Sequence, residues 1–202
     1  MKQYTDEYWY EMVLNENSAA GPLTSIQKSI IIKKCIQEAE QQKKRIESEY
    51  GKQQAEEYLK QMGFTIERDE GELMPSFLYM ELMEPDCKKV CLNQTVISLV
   101  EEYMCRRFSE DTAQLEKFRE IVCFHELFHV IEEYIKDIYT RNVRVKKHFM
   151  HIAPYYVKVD AASEIGAIHF SKIMSDVQFS PYIYTQYVLA AVNIDLEVED
   201  EH

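Results

Sequence analysis

One short stretch constrains this chain more than any other: His125-Glu126-Leu127-Phe128-His129, set inside a run with helical periodicity from about Asp111 to Ile138. Two histidines four residues apart stand one turn apart on the same side of an α-helix. Both imidazoles can therefore reach a single metal ion, and the carboxylate between them projects beside it. This is the H-E-x-x-H arrangement, in which two His ligate zinc and the Glu is a general base. Taking about 100° per residue, Cys123, Phe124, Leu127, Val130, Ile131, Tyr134, Ile135 and Ile138 gather in one broad sector. His125 and His129 lie roughly opposite. The expectation is a helix packed on one side and open to a metal on the other.

The surrounding chain is that of an ordinary folded protein. Its 202 residues suffice for one sizeable domain, and a hydrophobic content of 46% with 29% charged residues matches a globular composition. No apolar run is long enough to span a bilayer, and Met1 to Glu7 lacks the charged-then-apolar order of a signal peptide, so a cytoplasmic location with no membrane partner is expected. Five cysteines, Cys35, Cys87, Cys91, Cys105 and Cys123, are odd in number and scattered, which points to reduced thiols rather than a disulfide framework. The net charge of −12 argues against a nucleic-acid partner, because neutralising phosphates requires a basic surface.

In chain order, residues 1–52 read as an aromatic N-terminal arm followed by a long helix. Thr24-Ser25-Ile26-Gln27 supplies a capping-box start, Gly51 an interruption, and Gly63 a stop to a second helical piece from Gln53. Residues 53–193 form the main domain. Within it Phe64 to Arg68, Ser76 to Met83 and Lys88 to Leu92 read as three strands of a small mixed or antiparallel sheet, the last two joined as a hairpin. Thr95 to Phe108 is helical, and Ser109 to Asp111 resembles a cap for the motif helix. Thr140 to Lys158, the one basic region, reads as a connecting loop. Asp160 to Met174 is helical again, Ser180-Pro181 opens a last helix to about Val192, and 194–202 is an acidic tail.

A catalytic zinc takes three protein ligands and leaves one position open. The third ligand is expected from a separate downstream element. Glu164 is the first candidate, on a helix whose small Gly166 and Ala167 allow close approach to the motif helix. Asp160, one turn earlier, is the runner-up, or the acceptor for a ligand imidazole N–H; His169 is a third option. Tyr155, Tyr156 and His151 are candidate donors to a developing oxyanion.

Tyr58-Leu59-Lys60-Gln61-Met62-Gly63-Phe64-Thr65-Ile66, Lys89-Val90-Cys91-Leu92-Asn93, the helix from Phe118 through His129, and Glu164-x-x-Ala167-x-x-Phe170 follow one another in an order that resembles the ImmA/IrrE family of compact zinc metallopeptidases. The resemblance covers roughly Gln53 to Met174. It implies an α+β, mainly helical, zincin-like (gluzincin) metallopeptidase domain with Zn2+ held by His125, His129 and Glu164. It also implies Glu126 as general base and a cytoplasmic protein or peptide as substrate, in some members a repressor. Phe128 departs from the family, where many members carry Gly, and no helix-turn-helix segment accompanies the domain. The alternative reading is a zinc-bearing regulatory or binding protein whose proteolysis is silent. Neither the natural target nor the oligomeric state follows from the sequence.

Overall fold

In the computed structural model the described residues are 4–16, 21–70, 81–84, 88–108, 112–149 and 153–199. The architecture is α+β and mainly helical. Helix α1 (Asp6–Glu16) leads to the long α2 (Ser25–Tyr50), which starts at the expected capping box: the Thr24 hydroxyl accepts from the Gln27 N–H, and the Gln27 side chain accepts from the Thr24 N–H. Gly51, at φ 76°, ends α2 in a conformation that a side chain would disfavour. After α3 (Ala55–Gln61), Gly63 at φ 84° turns the chain into strand β1 (Thr65–Asp69).

Strands β1, β2 (Glu81–Glu84) and β3 (Lys89–Asn93) form a mixed sheet in the order β1-β3-β2. β3 is central, parallel to β1 (Thr65↔Lys89) and antiparallel to β2 (Glu81↔Leu92), so the expected pairing of the second and third strands is present. Val90 and Leu92 alternate inward from β3. Asn93 then accepts from the Val96 N–H at the start of α4 (Gln94–Phe108). The segments at 71–80 and 109–111, which include much of the expected second strand and the expected cap, lie outside the described residues.

The motif helix is α5 (Thr112–Tyr134), shorter at its C-terminal end than the periodicity suggested. Asn142 donates to the carbonyls of Lys136 and Ile138, drawing the chain out of the helix and into the short α6 (Tyr139–Asn142). The expectation of a loop over Thr140 to Lys158 is corrected. α6 is followed by strands β4 (Arg144–Phe149) and β5 (Ala153–Lys158), an antiparallel hairpin in the register Arg144↔Lys158 to Phe149↔Ala153. Val143, Val145, Val157 and Val159 turn inward between exposed Arg144, Lys146 and Lys158, and that alternation is what makes the segment a strand pair. Helix α7 (Ala161–Met174) comes next. The final helix, α8 (Ile183–Glu199), runs well past Val192.

Two apolar clusters hold the chain together. The larger joins the later part of α2, α3, β3, α4, α5 and α8 around Tyr58, Phe118, Phe124 and Leu127; the smaller joins α1, the start of α2 and the hairpin around Tyr10, Cys35 and Val145. α7 belongs to both, contributing Ala167 and Phe170 to the first and Ile165 and Ile168 to the second. α5 is enclosed on more sides than a one-sided amphipathic helix, because Phe170 of α7 packs on Phe128 while Tyr58 of α3 packs on Phe124; both, with Leu127, are fully buried. Cys35 and Cys105 are free thiols, and Cys87 lies outside the described residues. Among the described residues no helix is long and apolar enough to cross a membrane.

Candidate metal centre on helices α5 and α7

The site rests on a close crossing of α5 and α7. A Cβ added to Gly166 would lie 2.6 Å from the Phe128 ring and 2.9 Å from Thr140 Cγ2, so no residue with a side chain fits there without movement. Phe128 is therefore wedged between the helices and against Phe170, wholly buried, with ring centroids 5.4 Å apart. The glycine lets α7 come near enough for the residue two positions earlier, Glu164, to reach the histidines.

Three donors converge. His125 Nε2 and His129 Nε2 are 3.2 Å apart, Glu164 Oε2 lies 3.4 Å from His125 Nε2, and Glu164 Oε1 lies 3.6 Å from His129 Nε2. Glu126 belongs to the same group: its carboxylate and the two imidazoles offer ligand atoms within 4.8 Å of one another, a set that can hold a metal ion. Glu126 is 8% exposed, whereas the Glu164 side chain is 53% exposed, so the group has a dry side and an open side.

The order behind His129 comes from Glu132, one turn further along α5 and 3% exposed. Its Oε2 accepts from His129 Nδ1 at 3.0 Å and from the Ser163 hydroxyl at 2.5 Å, and its Oε1 accepts from the Thr140 hydroxyl. Holding the proton on Nδ1 leaves the Nε2 lone pair facing His125 and Glu164. Without a metal these carboxylates raise the His129 pKa to about 9. Burial opposes that rise, but the bond to Glu132 and the charges of Glu164 and Glu126 outweigh it. Glu164 moves the other way, down to about 2: desolvation opposes the fall and is overcome by the bond from His125 and the charges of both histidines.

Asp160 is corrected: it is neither ligand nor second acceptor. It stands at the N-cap position of α7 without a side-chain capping bond, and its carboxylate turns away to Lys158 at 2.7 Å, leaving to Glu132 the acceptor role considered for it. His169 is also outside the group, since its Nδ1 is 2.9 Å from the Tyr10 hydroxyl on the face of α7 that holds α1. Tyr155 and Tyr156 sit on β5 with 47% and 66% exposure, and among the described residues no hydrogen bond links either to His125, Glu126, His129 or Glu164. His151 lies outside the described residues. Sequence reasoning missed Glu132, although an acid three residues after the second histidine of the motif was a usable signal. Comparison with protein-family models, with curated proteins and with solved structures gives no match to the chain.

Proposed function

We propose that this protein is a zinc-dependent metalloendopeptidase that hydrolyses peptide bonds in a protein substrate. The supporting observation is the spacing of the donors. A tetrahedral zinc with nitrogen and oxygen ligands at about 2.0–2.1 Å sets those ligand atoms roughly 3.3–3.4 Å apart. Here the two imidazole nitrogens are 3.2 Å apart, and the two oxygens of Glu164 lie 3.4 Å from one and 3.6 Å from the other. Two imidazoles and one carboxylate form the donor set of peptidase zinc sites that keep a fourth position open, and the half-exposed side of Glu164 supplies the approach.

Bound zinc would polarise a scissile carbonyl and bring the pKa of water at the open position to about 7. His125, His129 and Glu164 would hold the ion, and Glu132 would keep His129 in the ligating tautomer. Glu126, fixed beside the ligands by the helix, takes the proton of the attacking water on its carboxylate and passes it to the departing amine. Phe128, seated on Gly166 in the core, is compatible with this arrangement despite its bulk. The α5–α7 pair with its mixed sheet supports the zincin-like reading and the likeness to the ImmA/IrrE family. On that reading the substrate is a regulatory protein.

The test combines composition and chemistry. Elemental analysis should show near-stoichiometric zinc that is lost in His129→Ala and Glu164→Ala. Glu126→Gln should keep the zinc and lose about 10²–10⁴-fold in the cleavage rate of an unfolded protein substrate. A wild type that refuses zinc added back would overturn the proposal. Zinc retention with no cleavage of any protein offered would instead leave a metal-bearing regulatory protein.

A further inference from the structure

Behind α5, on the side away from the metal ligands, a cavity of about 350 Å³ opens between α2, the end of α3 and the end of α5. This is within the range of small-ligand sites. Its inner wall is apolar, from Ile46, Ile131 and Met62, and Tyr50 and Tyr134 flank it. Two cations stand at its mouth. Arg45 and Lys88 are both exposed, and among the described residues neither has an acidic partner. The Lys88 ammonium lies over Gly63, and Lys88 holds φ 50°, a conformation uncommon for a residue with a side chain. Glu49 at the same rim offsets one of the two charges.

A second observation points to a ligand. Gln42, on the cavity wall, is only 3% exposed; its Nε2 donates to Glu38 at 2.8 Å, while its Oε1 has no partner. Buried amide oxygens are rarely left unsatisfied. The terminal torsion of glutamine is soft, and turning the amide towards the cavity would exchange its bond to Glu38 for a ligand donor on this oxygen. We propose that the cavity binds a small aromatic carboxylate carrying a ring N–H. The carboxylate would sit between Arg45 and Lys88, the flat ring between the tyrosines and the aliphatic wall, and the N–H on Gln42. The inference does not depend on the metallopeptidase reading, because no metal ligand lines this cavity.

The test is a ¹H–¹⁵N NMR titration of the full chain, zinc-free and zinc-loaded, with indole-3-acetate. Saturable shifts are expected at the amides of Gln42, Ile131 and Lys88 in both forms, with a Kd on the order of a millimolar, as suits so small a ligand. Arg45→Ala and Lys88→Ala change exposed side chains and leave the fold intact. Each should weaken binding about fivefold or more, as should the neutral indole-3-acetamide. Naphthalene-1-acetate, with the charge and ring but no N–H, should bind several-fold more weakly. The proposal is overturned by the absence of saturable shifts up to about 10 mM. It is equally overturned by shifts confined to His125 and its neighbours, or by affinities indifferent to both variants and to the loss of ligand charge.

Discussion

Replacing Glu132 by Gln probes the candidate metal centre from behind. Three donors meet on that carboxylate: His129 Nδ1–H and the Ser163 hydroxyl on one oxygen, the Thr140 hydroxyl on the other. An amide of the same shape offers one oxygen and one NH2. With the oxygen towards His129, Thr140 must turn from donor to acceptor, and the bond to the imidazole loses its charge. With the NH2 towards His129, two donors face each other, and the imidazole surrenders its Nδ1 proton and with it the Nε2 lone pair. Either way the ring becomes a poorer ligand, and zinc affinity should fall about 10–100-fold, roughly 1.4–2.7 kcal/mol. The metal-free fold should lose about 1–3 kcal/mol, because Thr140 is fully buried and the weakened bonds are shielded from water. Competition against a fluorescent zinc chelator reads the first quantity, and a thermal melt of the stripped protein the second. Ser163→Ala, which removes one hydroxyl and no charge, should have the smaller effect on affinity. If Glu132→Gln binds zinc within about threefold of wild type, the carboxylate does not set the His129 tautomer and the reasoning fails.

Gly166→Ala should destabilise by about 1–3 kcal/mol, since its Cβ would meet the Phe128 ring at 2.6 Å. The resulting fall in Tm, roughly 2–4 °C per kcal/mol for a chain this size, should be partly relieved by adding Phe128→Leu. Zinc affinity should increase with pH and level off above about 9, where His129 no longer carries the proton that the metal must displace; chelator competition across pH 6–9 would detect a flat profile that contradicts this. In the stripped protein the same two groups have opposite limits. His129, with its raised pKa, stabilises the fold fully below about 6.5 and ceases to do so as pH rises through about 9. Glu164, with its lowered pKa, stabilises above about 4.5 and ceases to do so as pH falls through about 2, so their joint contribution peaks between about 4.5 and 6.5 in denaturation midpoints.

Local signals were readable from the chain because each rests on neighbouring residues: the capping box at Thr24, the glycine turns, the four-residue histidine spacing, and Glu164 paired with the small Gly166. The displaced readings depended on three-dimensional partners. Asp160 and Glu164 share a helical face on paper, yet Lys158 captures Asp160 at the cap while the crossing at Gly166 delivers only Glu164. Glu132 carries no local mark of burial in the sequence. It is buried because Thr140, on the chain returning past α5, and Ser163, on α7, close over it. The hairpin of β4 and β5 was hidden by its lysines and arginines, whose charge obscured the inward valines.

Helix α7 is shared by both apolar clusters, and it carries one of the three converging ligands while α5 carries the other two. An ion bound there would act as a clasp, tying α7 to α5 beside α2, the long helix that also spans both clusters. Zinc removal should therefore reach well beyond the ligands: amide exchange should quicken along α7, β4 and β5 while the centre of α4 stays protected. A cell short of zinc would then hold a chain already part-way open, and the metal supply would govern the lifetime of the protein as well as its chemistry.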